Sequence, residues 1–143
     1  MELKNSKLQT KNTCPPNFGR RESQYQMTKN NPYDLEERTL KYAKDIIKLC
    51  KKLPKDIINL RLIGQLIDAS GSVGANYREA NEAVSKNDFL HRIKITRKEC
   101  KESSYWIELL KVANQKFGVE MDTFIKESQE LRNIFTSIIE KSK

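Results

Sequence analysis

From residue 34 onward, apolar side chains recur at intervals of three and four, the spacing of helices that bury one face. The first such run opens at Asp34, with Glu37 three residues on as an acidic capping box, and continues to about Leu53. Its expected inner face is Leu40, Ala43, Ile46, Ile47 and Cys50. Pro54 then restarts the chain in the first turn of a second helix, where its missing N–H costs nothing. That helix reaches about Val84, with Leu62, Leu66, Ala69, Val73, Tyr77, Ala80 and Val84 inward. Ser85, with Asp88 three residues later, caps a third helix. Its inner face is Phe89, Ile93, Cys100, Ser103, Ile107 and Leu110, with Trp106 and Ala113 beside it, and Gly118 ends or follows it. The fourth starts near Asp122 and carries Phe124, Ile125, Leu131, Ile134, Phe135, Ile138 and Ile139. Short connections favour antiparallel neighbours, so the pattern predicts an all-α, up-down-up-down four-helix bundle over residues 33–143.

Residues 1–32 do not share this pattern. They hold three of the four prolines, and their six Lys and Arg against two acids (Glu2 and Glu22) contribute +4 of the net charge of +8. This stretch reads as a flexible basic tail. Breakers are sparse elsewhere, which favours long helices over a sheet with many turns. Hydrophobic residues make up 37% of the chain, so the core must be assembled from well-placed stripes. Cys14, Cys50 and Cys100 are too few and too far apart for a disulfide framework or a metal knuckle, and read as free thiols. The start MELKNSKLQTKN lacks an apolar leader, and no apolar run is long enough to span a bilayer; a cytoplasmic protein is expected.

The basic excess directs attention to an anionic partner. On the third helix Lys94, Arg97, Lys98 and Lys101 fall on one outward stripe that Tyr105 continues. Lys41, Lys44, Lys48, Lys51 and Lys52 repeat the arrangement on the first helix, and the two ridges are expected to lie side by side. Mostly lysine, they suit phosphates more than base edges. A solvated face, partly neutralised by Glu99, Glu102 and Asp45, is the plain alternative. Gly64, Ala69, Ser70, Gly71, Ser72, Gly74 and Ala75 suggest close helix approach; no Lys-Ser/Thr follows Gly71-Ser-Val-Gly74, which argues against a nucleotide loop. Asn76, Tyr77, Arg78 and Glu79 are candidate structural or interface residues, as is Trp106; a stacking role for Tyr105 or Trp106 is the sharper reading. Asp88 and His91 have the spacing of half a di-iron site, but His91 is the single histidine, so neither a di-iron centre nor a Ser-His-Asp triad can be completed. No metal, cofactor or catalytic residue is expected.

The stretch Ser70-Gly-Ser-Val-Gly-Ala-Asn-Tyr-Arg-Glu-Ala80, continued by Ser85-Lys-Asn-Asp-Phe89 and Lys98-Glu-Cys-Lys-Glu-Ser-Ser-Tyr-Trp106, resembles the bacterial four-helix bundle proteins encoded in 23S ribosomal RNA intervening sequences. The likeness covers most of residues 34–140 and is densest over 63–113; the N-terminal tail lies outside it. It implies a four-helix bundle, a homopentamer and nucleic-acid binding. A related branch comprises accessory proteins of diversity-generating retroelements, which bind a reverse transcriptase and its RNA. The family has no established catalytic residues, so none is carried over. The expectation is a non-enzymatic nucleic-acid-binding protein, with RNA favoured over DNA. The alternative is an assembly or adaptor protein whose oligomer docks a protein partner such as a reverse transcriptase.

Overall fold

A computed structural model describes residues 34–143; the reading of residues 1–32 as a tail, and Cys14 with it, lies outside the described residues. Four helices form an antiparallel bundle: α1 (Leu35–Lys52), α2 (Ile57–Asn81), α3 (Lys86–Ala113) and α4 (Gly118–Lys141), with a 3-10 turn at Gln115–Phe117 before α4. α2 packs along α3 and α3 along α4, while α1 lies on α2 and approaches α4 closely at few points. α1 and α3 therefore stand at opposite corners.

Each helix presents a seam whose residues step by four and three. Leu35, Thr39, Tyr42, Ile46, Leu49 and Leu53 form it in α1 and at its C-cap; Phe89, Ile93, Thr96, Cys100, Ser103, Ile107 and Leu110 form it in α3. In α2 it runs Asn59, Ile63, Leu66, Ser70, Val73, Tyr77 and Ala80; in α4 Met121, Phe124, Ser128, Leu131, Phe135 and Ile138. This is the seven-residue repeat of knobs-into-holes packing. The hydroxyls on the seams donate to their own helices, Thr39 to Leu35 O (2.7 Å), Thr96 to Arg92 O (2.9 Å), Ser103 to Glu99 O (2.9 Å) and Ser128 to Ile125 O (2.9 Å), so they enter the core with their donors satisfied.

The α3 inner face expected from sequence is buried throughout. On α1 the expected face is rotated: Ile46 and Cys50 are buried, but Leu40 and Ile47 are 39% and 46% exposed and Ala43 is half-buried. Thr39, Tyr42 and Leu49 hold the seam instead. Pro54 is not in the first turn of α2. It lies in the connection, and Asp56 is the cap, accepting from Asn59 N–H at 2.8 Å. Val84 follows the end of α2 and is 80% exposed, its expected place taken by buried Ala83. α4 begins one turn before Asp122, at Gly118.

The ends are pinned by polar contacts. Lys55 Nζ donates to the Cys50 and Leu53 carbonyls at 2.9 and 2.6 Å, closing the C-terminus of α1. Asn59 and Asn114 exchange side-chain hydrogen bonds at 2.8 and 2.9 Å and also bind Pro54 O and Leu110 O, tying the start of α2 to the end of α3. Between α1 and α4, Arg38 grips Glu127 with Nε and Nη2, both at 2.8 Å, and reaches Glu130 at 3.1 Å. These carboxylates hold its guanidinium pKa above the ordinary value against the opposing effect of burial.

The three described helical glycines of α2 differ. A methyl group on Gly64 or Gly71 would meet nothing within 4 Å; on Gly74 it would lie 3.1 Å from Thr39 Oγ1. Thr39 is locked by its bond to Leu35 O and cannot yield cheaply. Gly64→Ala and Gly71→Ala should each stabilise the subunit in urea denaturation by up to about 1 kcal/mol, whereas Gly74→Ala should bring no gain or a loss.

Burial pushes the Cys100 thiol up to about 12 and the Cys50 thiol up to about 11, from an ordinary 9.0. It also raises the pKa of the Tyr42 hydroxyl, which faces Ser103 and Ser128 without a hydrogen bond of ordinary geometry. The unfolded chain releases these protons first, so the stability they confer is full below pH 9 and lost as pH rises toward 12. Urea midpoints should hold up to about pH 9 and fall between pH 9 and 12, and Cys100→Ala should flatten the fall.

Candidate nucleic-acid interface

The seam of α3 occupies one side of a 28-residue helix, and the opposite side carries a second stripe at the same spacing. His91, Lys94, Lys98, Lys101 and Tyr105 follow one another along it, all exposed, and exposed Glu108 lies one turn beyond. Arg97 is half-buried, turned from the stripe toward the α4 side. Arg132 of α4 adds a cation on that side, close enough to Cys100 to oppose the rise in its pKa. The sequence reading missed Arg132, because helix neighbours cannot be read from the periodicity of α4 alone.

None of Lys94, Arg97, Lys98 and Lys101 forms an ion pair among the described residues. Glu99 and Glu102 sit on the other flank. Burial and then the neighbouring Glu102 raise the Glu99 pKa, with Lys98 opposing, and Glu102 accepts from Trp106 Nε1 at 3.3 Å. The α1 ridge differs. Lys41 and Lys48 both pair with Asp45, and Lys52 pairs with Glu120 at 2.8 Å; Lys44 is exposed and has no such partner among the described residues. The expectation of two adjacent ridges is corrected by the helix order, since α2 and α4 separate α1 from α3. Within one subunit they are two surfaces.

The remaining candidates lie apart from the α3 stripe. Tyr77 is buried with its ring centroid 5.6 Å from that of Phe135. Asn76 donates to Ser72 O at 2.9 Å and accepts a long 3.4 Å bond from Arg92 of α3. Arg78 and Glu79 are exposed and form no ion pair among the described residues, and Arg78 lines a cleft between α1 and α2. Trp106 is half-buried against the core. Asp88 serves as a cap residue, its N–H donating to Ser85 Oγ and its carboxylate accepting from Val84 N–H. No cluster of three His, Cys, Asp or Glu suited to a metal occurs among the described residues.

That α1–α2 cleft is lined by Thr39, Leu40, Ala43, Gly71, Gly74 and Ala75, with Glu36 and Arg78 beside them. Leu60 and Ile67 of α2 and Ile47 of α1 are also 38–54% exposed. Leu40, Ala43 and Ile47, which sequence placed in the α1 core, thus belong to a surface, while Ile46 and Cys50 are buried. Strict seven-residue spacing, had it outranked apolar identity, would have placed them there. No described helix is long and apolar enough to cross a membrane.

The sequence model of the family described as 23S rRNA-intervening sequence protein matches residues 33–137. A crystal structure of a protein of unknown function from the S23 ribosomal protein family, from Bacteroides thetaiotaomicron, is 30% identical. It superposes with a TM-score of 0.68, covering 73% of this chain and 94% of that one. No curated protein sequence matches the chain.

Proposed function

Because the chain belongs to the 23S rRNA-intervening sequence protein family, we propose that it is a non-catalytic nucleic-acid-binding bundle, acting as a homopentamer and holding RNA in preference to DNA. The observation that carries this reading is the charge on α3: four cations within eight residues, none of which forms an ion pair among the described residues. Unpaired lysines on a rigid rod lose little when phosphates replace water and counterions around them. The α1 lysines, three of the five paired with Asp45 or Glu120, lend support from a separate face. The mostly lysine composition suits backbone contact without strong sequence preference.

The pentamer is supported by the family resemblance and by the exposed apolar surface between α1 and α2. A ring needs head-to-tail contacts, and this surface is suited to one of the two faces required. Gly64 and Gly71 leave it open to a neighbour's side chains. The same surface favours the second reading, an adaptor that docks a protein partner such as a polymerase.

Four phosphate contacts per subunit correspond to a loss of affinity for single-stranded RNA of about 20-fold between roughly 50 and 150 mM salt. Charge reversal of Lys94, Arg97, Lys98 and Lys101 together should abolish that binding while leaving the helical circular dichroism unchanged. Absence of binding by the natural chain at low salt would overturn the reading, and retained docking of a polymerase by the reversed variant would favour the adaptor. In light scattering the natural chain should weigh five subunits. Ile67→Glu, at a position 38% exposed in the subunit, should lower that mass without loss of helicity.

A further inference from the structure

We propose that the α3 ridge takes an unpaired nucleic-acid strand, with phosphates along Lys94, Lys98 and Lys101 and one base stacked on the ring of Tyr105. This rests on the reading of the ridge as a phosphate surface and adds to it the form of nucleic acid bound.

Tyr105 stands one turn beyond Lys101 on the same outward stripe. It is 53% exposed, the one exposed aromatic residue among those described. The seam of α3 is complete without it, so packing does not explain the ring. The ring is nevertheless held. Its centroid lies 5.1 Å from that of Trp106 at 73°, an edge contact, and Trp106 is fixed by its own packing against the core and by its bond to Glu102. A braced ring loses less freedom on stacking than a loose one.

Spacing and charge order the partner along the helix. Lys94 to Lys101 spans about 10 Å of rise, and Tyr105 lies about 6 Å further. Exposed Glu108 follows one turn on and repels phosphate, so the track of positive charge ends where the aromatic ring begins. A duplex has no use for that ring, because its base faces are covered by their neighbours in the stack. A single strand offers phosphates to the lysines and a bare base face to the tyrosine, the pairing of features by which single-stranded binding surfaces work.

The test compares the full chain binding a mixed-sequence RNA strand of about a dozen nucleotides with its binding to the blunt duplex of that strand. The strand should bind more tightly and quench Trp106, the chain's single tryptophan, through its contact with Tyr105. Tyr105→Leu should weaken strand binding by about 5- to 140-fold, the loss of one stacked base. It should leave the salt dependence and duplex affinity unaltered, and Tyr105→Phe should restore strand affinity. Equal binding of strand and duplex, insensitive to Tyr105→Leu, overturns the proposal alone. So does a change in subunit number in Tyr105→Leu, which would assign the ring to an interface between copies. Failure of both oligonucleotides to bind at low salt overturns the phosphate reading together with it.

Discussion

The seven-residue repeat is the constraint on which everything else in this bundle depends. With core contacts at alternating steps of four and three, each helix buries only a narrow seam. A chain with 37% hydrophobic residues can fill four such seams and little more. The economy has a functional return: a seam on one side of α3 leaves the whole opposite side without a packing duty. That side can carry an uninterrupted ridge of charge, which a helix wrapped by neighbours could not.

How much of this was legible in the sequence depended on what stood on each seam. On α3 the seam residues are apolar or small and the spacing is strict, so the reading placed all of them but Thr96. On α1 the seam includes Thr39, while Leu40 and Ile47 lie off it. Chemical identity then pointed away from geometry, and the expected face came out rotated. The hydroxyls of Thr39, Thr96 and Ser128 did not read as core residues, because each bonds its own helix and needs no partner elsewhere in the sequence, whereas Ser103 was placed by its position between Cys100 and Ile107.

The boundaries failed for local reasons and the surface for a global one. Pro54 was a plausible first-turn residue, but Asp56 two positions later offered a carboxylate to the free N–H groups and took the cap. The relation of the two lysine ridges could not be read from either helix, since it is decided by which helices become neighbours. Diagonal placement makes them separate faces of one subunit. Of the two lysine ridges, that of α3 forms no ion pair among the described residues, so the difference between two lysine-rich helices emerges from three carboxylates: Asp45, Glu120 and the flank-turned Glu102.

The two opposed stripes of α3 also restrict how its gene can change length. Adding or deleting one codon within Lys86–Ala113 rotates everything downstream by about 100°. Lysines would then swing toward the core, and Cys100 or Ile107 toward water. An insertion of seven residues turns the helix by nearly two whole turns and only lengthens both stripes by one layer. Over evolutionary time, drift in the length of this helix is therefore confined to its ends or to steps of seven, whereas the connections on either side can gain and lose single residues freely.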